Sequence, residues 1–226
     1  PQQTHSHHPP HDTPPDTPKD DPWPEGWGHQ PMPITPTTLR LIQKNPNGFQ
    51  TRHNSTCTKL ANGLQDMQDL DAGVILFNET NTDWKNYDLK GEYNNRVKQH
   101  WPTNRTQFST SKARAEKDYL PGGTATTILG KWVGRVLQST EDPTKMGRWS
   151  AVQLRGKQQE KIWFISAYRV SQDSLPGPHT AYAQQHKMLL DSDVQDPRPR
   201  KQFITDLTEF ITAIQKKHEH IILALD

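Results

Sequence analysis

Four short apolar runs in this chain each end in residues that can do chemistry. Val74-Ile75-Leu76-Phe77 leads into Asn78-Glu79-Thr80, and Leu39-Arg40-Leu41-Ile42-Gln43-Lys44 into Asn45-Pro46-Asn47-Gly48. Ile162-Trp163-Phe164-Ile165-Ser166-Ala167 leads into Tyr168-Arg169, and Ile221-Ile222-Leu223-Ala224-Leu225 into Asp226. The Val74 run suits a strand buried on both faces, opened by the turn residues Asp71 and Gly73. Burying Glu79 inside such a sheet is costly unless it is paired, so the cheaper placement is at the strand's carboxyl end, facing a cation. Glu79 therefore reads as a metal ligand. None of the amides, the phenol or the carboxylates is needed to finish a strand. Together they suit a site that holds a divalent cation and a phosphate ester.

Each of these residues also has a plainer reading. Glu79 could cap a helix or pair with a lysine, Tyr168 could be a core tyrosine with a satisfied hydroxyl, and Asp226 could sit in a turn. Asn45 and Asn47 ahead of Gly48 are what any turn uses. Recurrence of one pattern at four strand tips favours the site.

The elements that must position those tips follow from composition and periodicity. The chain has 226 residues, 31% of them hydrophobic, and a net charge of +2. Its mean hydropathy is -0.97 and its pI about 8.7, a balance that permits a nucleic-acid partner without demanding one. Cys57 is the single cysteine, which excludes a disulfide framework and a cysteine zinc site and fits a reducing compartment, nuclear or cytoplasmic. No run approaches the ~18 apolar residues of a membrane span, and no signal peptide opens the chain. Three Asn-x-Thr sequons, at Asn54, Asn78 and Asn104, read as chance, the middle one because a glycan there would block Glu79. The start at Pro1 and the stop at Asp226, on the last residue of an apolar strand, read as a fragment of a longer polypeptide.

Residues 1–36 are rich in Pro, His, Asp and Thr and read as a disordered segment or linker. Its histidines, His5, His7, His8 and His11, have no thiol or carboxylate at fixed spacing to build a coordination sphere with, and Trp23 and Trp27 read as loop aromatics. The folded domain is expected over 37–226. Leu60, Leu64 and Met67 predict a helix over Thr58 to Leu70, which makes a β-α-β opening with the strands on either side. Leu89, Tyr93, Val97 and Trp101 predict a second helix from Tyr87 to Trp101. Strands are expected at Gln107 to Ser111 and Ala125 to Leu129, with Val133 to Ser139 behind. Arg148 to Leu154 and Lys161 to Tyr168 form a hairpin anchored by Trp149 and Trp163. Thr180 to Leu190 reads as helical. Asp196-Pro197 reads as an N-cap and first-turn proline for a last helix marked by Phe203, Leu207, Phe210, Ile211 and Ile214. Hairpins interrupted by helices favour two packed sheets with helices outside, a four-layer α/β sandwich rather than a doubly wound sheet.

In this order and these contexts the four tips resemble the endonuclease/exonuclease/phosphatase family. Gly122-Gly123-Thr124, Gly147-Arg148-Trp149 and Asp196-Pro197-Arg198 look most like the version found in the endonuclease domains of non-LTR retrotransposons. The resemblance covers about Leu39 to Asp226. It implies that Glu79, with Asn45, binds Mg²⁺ or Mn²⁺, and that Asn45, Asn47 and Arg169 help to hold the scissile phosphate. Tyr168 would donate to the phosphate or stabilise the pentacovalent transition state, and Asp226 would orient or deprotonate the attacking water. The implied activity is metal-dependent phosphodiester hydrolysis on DNA. A phosphodiester needs its charge neutralised and its water aimed in line, a task of geometry and electrostatics rather than of a protein nucleophile.

The chain also departs from that pattern. Lys44 stands where an aromatic is common, and Pro46 fixes φ between the two asparagines. The family's last strand continues Asp-x-Asn, and a later segment supplies an aspartate and a histidine; ending at Asp226, this fragment is expected to be inactive by itself. Two rival functions remain: a phosphomonoesterase of the same fold acting on inositol or lipid phosphates, and a non-catalytic remnant that binds nucleic acid. Lys112, Arg114 and Lys117 read as a solvated face rather than a phosphate track.

Overall fold

The computed structural model describes residues 35, 37–49, 58–171, 177 and 179–226, with Thr58 and Lys59 described by backbone alone. The expectations for residues 1–36, Thr35 aside, and those for Asn54 and Cys57 lie outside the described residues.

Two four-stranded mixed sheets form the molecule's interior. The first contains β1 (Leu41–Lys44), β2 (Val74–Phe77), β3 (Asn104–Ser109) and β4 (Thr124–Leu129), in the order β1-β2-β4-β3. The second contains β5 (Val136–Glu141), β6 (Trp149–Arg155), β7 (Lys161–Ala167) and β8 (His220–Leu225), in sequence order. Each sheet carries one parallel pair, β1 with β2 and β7 with β8, and its other pairs are antiparallel.

Among the described residues four α-helices complete the layers: α1 (Thr58–Asp69), α2 (Tyr87–His100), α3 (Ala181–Leu190) and α4 (Pro199–Gln215). The two-residue alternation of β2 decides what each side of the first sheet meets. Ile75 and Phe77 pack on Leu60, Leu64 and Met67 of α1 and on Tyr93 and Val97 of α2. Val74 and Leu76 point the other way, into a layer shared with Val152, Leu154 and Phe164 of the second sheet. On that sheet's outer face Phe203, Leu207 and Ile214 of α4 pack against Trp149, Ala151, Trp163 and Ile165. The expected helix-sheet-sheet-helix sandwich is thus present, with its β-α-β opening and its Trp149/Trp163 hairpin.

Polar side chains inside the sandwich are bonded to one another. Thr124 and Thr126 of β4 reach Ser150 of β6 at 3.0 Å, so the β4–β6 contact carries hydrogen bonds as well as apolar area. Arg148, 1% exposed, is held by Asp142 at 2.7 Å and by Asp206 of α4 at 2.7 Å.

Four expectations need correction, the first being that β3 spans Asn104–Ser109 rather than Gln107 to Ser111. The strand behind β4 begins at Val136, because residues 130–135 wind into a 3₁₀ turn that starts on Gly130 at φ +55°. The first strand begins at Leu41 rather than Leu39. The last helix starts at Pro199, with Arg198 in the capping position and no side-chain cap. Proline disfavours helical backbone in the residue before it, so Pro199 excludes Arg198 from the helix and leaves Asp196 and Pro197 outside.

Candidate functional site

Parallel pairing carries the polar tips to one place. In β1 and β2 Lys44 is level with Phe77, and in β7 and β8 Ala167 is level with Leu225, so Asn45 leaves its sheet beside Asn78-Glu79 and Tyr168-Arg169 leaves its sheet beside Asp226. The two sheets are joined at that end by hydrogen bonds. Ser166 Oγ donates to the Phe77 carbonyl at 2.7 Å. The buried Asn78 amide accepts from Gln43 at 3.0 Å and donates to the carbonyls of Ala167 and Ala224, at 2.5 and 3.3 Å. One asparagine therefore ties β1, β7 and β8 at the base of the site.

Above it, Asn45 Nδ2 donates to Glu79 Oε2 at 2.9 Å and to Asp226 Oδ2 at 2.5 Å. Asn45 Oδ1 accepts the Asn47 backbone N–H at 2.7 Å, an Asx turn that fixes the amide's direction. Tyr168, buried with its ring beside Val170 and Ala181, hydrogen-bonds Glu79. Burial, then the negative charge of Glu79 and of Asp226, pushes the Tyr168 phenol well above the usual tyrosine range, so it remains a proton donor at neutral pH. Tyr119, half-exposed, is pushed up for related reasons, partial burial first and Glu79 second.

The backbone around these groups is strained in a way that the local bonds enforce. Glu79 has φ +49°, Asn47 +46° and Asn81 +47°, left-handed values that cost non-glycine residues on the order of 1–3 kcal/mol. Gly48 and Phe49 donate to the carbonyls of Glu79 and Thr80 at 3.0 and 2.9 Å, and Thr80 and Asn81 donate to those of Gly123 and Gly122 at 3.1 and 2.8 Å. Three loops are locked together by these bonds. Gly123, at φ +80°, is required as well as tolerated, since a Cβ there would lie 2.8 Å from Thr80 Oγ1.

Glu79, Asn45, Tyr168 and Asp226 therefore meet in one place. Asn47 lies on the adjoining turn, and its side chain accepts from Asn81 at 3.4 Å instead of reaching the carboxylates. Arg169 donates its backbone N–H to the Asp226 carbonyl at 2.9 Å. Among the described residues its side chain makes no ion pair with Glu79 or Asp226, and its Nε is buried without a partner. Sequence reasoning gave no role to Asn78, Asn81 or Tyr119. Asn78 and Asn81 flank Glu79 in the stretch already singled out, and Tyr119 stands just ahead of Pro121-Gly122-Gly123, which was a usable signal.

The donor set fits a hard divalent cation through its two carboxylates. Glu79 and Asp226 turn oxygens to the same amide nitrogen, and oxygen donors of this kind suit Mg²⁺ or Mn²⁺. Asn45 presents its nitrogen to that pair, so acting as a ligand would require its oxygen to release Asn47. Among the described residues no three His, Cys, Asp or Glu side chains form a cluster of their own. No helix among them is long and apolar enough to cross a membrane.

No family model matches the sequence, and no curated protein matches it. Among solved structures the chain is similar to the human Nocturnin catalytic domain with bound sulfate anion, at 12% identity over 83% of this chain and 63% of that one, with a TM-score of 0.49. It is similar to an AP endonuclease from Archaeoglobus fulgidus, at 12% identity over 84% and 57% of the two chains, with a TM-score of 0.46. It is also similar to an endonuclease/exonuclease/phosphatase family protein from Leptotrichia buccalis C-1013-b, at 12% identity over 70% and 64%, with a TM-score of 0.40. The chain spans about three fifths of the length of each of these structures.

Proposed function

We propose that this chain carries a phosphodiester-hydrolysing site of the endonuclease/exonuclease/phosphatase type, acting on DNA as part of a retroelement open reading frame. The observation that supports it is the convergence of Glu79 and Asp226, from different sheets, on one amide nitrogen beside a protonated phenol. Two carboxylates held so close are stabilised by a cation between them. Glu79 and Asp226 would hold Mg²⁺ or Mn²⁺, which when bound supplies charge neutralisation at the phosphate.

The chain's own groups account for the remaining tasks. The Tyr168 O–H donates to a phosphate oxygen, in a hydrogen bond that gains strength as negative charge builds there. Asp226 accepts a hydrogen bond from the attacking water and can take its proton. Arg169 would serve a second phosphate oxygen only once its Nε, buried without a partner among the described residues, is brought to the surface. Asn45 and Asn47 keep the turn in register with Glu79. The retroelement form of the reading rests on the likeness of Gly122-Gly123-Thr124, Gly147-Arg148-Trp149 and Asp196-Pro197-Arg198.

The test has two parts. Calorimetric titration of this chain with Mn²⁺ is expected to show binding that Glu79→Gln and Asp226→Asn each abolish. A polypeptide carrying this chain is expected to nick supercoiled plasmid in Mg²⁺, with EDTA or Glu79→Gln stopping it. Cleavage of inositol phosphates with the plasmid left intact would move the reading to a phosphomonoesterase. Salt-sensitive DNA binding without cleavage in any metal would move it to a binding remnant.

A further inference from the structure

Beside the site, the segment 112–119 and helix α3 flank a cleft of about 1190 Å³. That exceeds the ~300–1,000 Å³ of a pocket for a drug-sized molecule and suits a length of chain. Lys112, Arg114 and Lys117 line one wall and Lys187 the other, all four exposed. None of the four has a carboxylate partner among the described residues. The cleft's two carboxylates, Glu116, which His179 approaches at 3.2 Å, and Asp191, stand against these four cations.

A neighbouring cleft of about 540 Å³ shares Lys112 but is the weaker candidate. Its Lys85 is tied to the carbonyls of Ser111 and Ala113, at 3.1 and 2.5 Å, and its Lys145 to Glu141 at 2.5 Å. The smaller cleft's Lys90 lies over the Tyr87 and Phe108 rings, whereas the larger cleft gathers four cations without a carboxylate partner among the described residues.

Tyr119 connects that cleft to the site. Its backbone pairs with Thr82, three residues beyond Glu79, and Asp83 donates to the Asp118 carbonyl at 3.0 Å. A second pairing, between Glu116 and Tyr119, holds the turn that presents the ring, which is 49% exposed. The order along the surface is thus the carboxylate pair, then a half-open aromatic ring, then four cations. A ring face can stack only on a base that is not already stacked in a duplex.

We propose that this cleft holds single-stranded polynucleotide flanking the scissile phosphate, with one base on Tyr119 and successive phosphates near Lys112, Arg114, Lys117 and Lys187. The proposal rests on the phosphodiesterase reading of the site and names the form of substrate held there, an unpaired stretch such as negative supercoiling opens in a plasmid.

Fluorescence anisotropy of a labelled single-stranded oligonucleotide on the intact chain, across salt concentrations, tests it. Four neutralised phosphates at a slope of about −0.7 each predict about 50-fold loss of affinity between roughly 50 and 200 mM salt. Lys112→Gln with Lys187→Gln is expected to halve that slope. Tyr119→Ala is expected to weaken binding about fivefold or more and leave the slope unchanged. Equal affinity of wild type and the lysine variant, tighter binding of duplex than of single strand, or no binding at low salt would each overturn the proposal. Mn²⁺ titration of the same proteins reports on the carboxylate pair separately. Normal Mn²⁺ binding with an insensitive oligonucleotide affinity sinks the cleft alone, and the reverse pattern sinks the site reading.

Discussion

Glu79 ends a strand of one sheet and Asp226 a strand of the other, and both carboxylates accept from a single nitrogen, Nδ2 of Asn45, at 2.9 and 2.5 Å. One neutral amide stands between two like charges. Asn45→Ala removes it, and because Asn45 is exposed the loss is expected to cost roughly 0.5–1.5 kcal/mol. Differential scanning calorimetry in EDTA should show the lower Tm, and added Mg²⁺ should recover more of it than in the wild type. At a hundredfold excess over Kd a bound ion stabilises by about 2.7 kcal/mol. If Mg²⁺ shifts Glu79→Gln as much as wild type, the ion does not bind at this pair.

Tyr168→Phe keeps the ring against Val170 and Ala181 and removes one hydroxyl. Loss of a single preorganised donor to a developing oxyanion lowers kcat by about 10²–10³. In the nicking assay this variant should retain KM and melt near the wild-type temperature. A kcat within a factor of about three of wild type would assign Tyr168 a packing role only.

Alkaline stability reports on two buried phenols. Tyr93 is raised well above its usual range by burial, outweighing its hydrogen bonds to Thr127 and Thr106, and Tyr168 is raised by burial and by its carboxylate neighbours. Both are neutral in the folded chain, whereas the unfolded phenol ionises near pH ~10. Their contribution is therefore complete below about pH 10 and lost as pH climbs from there towards the folded values. Tyr93→Phe is expected to flatten the fall of Tm above about pH 10. It should cost little at neutral pH, because Thr127 keeps Thr106 as a partner at 3.0 Å. An unchanged alkaline limb in the Tyr93→Phe, Tyr168→Phe double variant would contradict the assignment.

Arg148 is a structural counterpart of the site's charges. Burial alone would pull its guanidinium pKa down, but Asp142 and Asp206 outweigh that and raise it. Arg148→Met leaves two carboxylates without their cation and is expected to cost about 3–5 kcal/mol in urea denaturation. A loss below about 1 kcal/mol would mean that water enters the space and solvates them. Because the Tyr168 N–H donates to the Arg148 carbonyl at 2.8 Å, the same variant should also lower turnover where it still folds.

Much of this arrangement could be read from the residues. The β2 run and the α4 stripe were legible because burial on two faces or on one imposes its own period on the sequence. The meeting of Asn45, Glu79, Tyr168 and Asp226 was legible because each follows an apolar strand, and a parallel pair delivers both of its ends to one side. What was hidden depends on neighbours far along the chain. Asn78 looks like part of a glycosylation sequon, yet it is buried with bonds to residues 89 and 146 positions away. Nothing near Arg148 in sequence announces Asp206. The start of α4 was misplaced because Asp196-Pro197 satisfies the usual capping pattern, while the backbone is governed by the second proline three residues on.

The seating of Asn78 and Ser166 across the two sheets has a kinetic corollary. Neither half of the sandwich owns all of Asn45, Glu79, Tyr168 and Asp226, so the proposed site exists only once the halves dock in the right alignment. Substitutions that loosen the filling between them, at Val152 or Phe164 for instance, should therefore slow turnover at temperatures below those that unfold the chain.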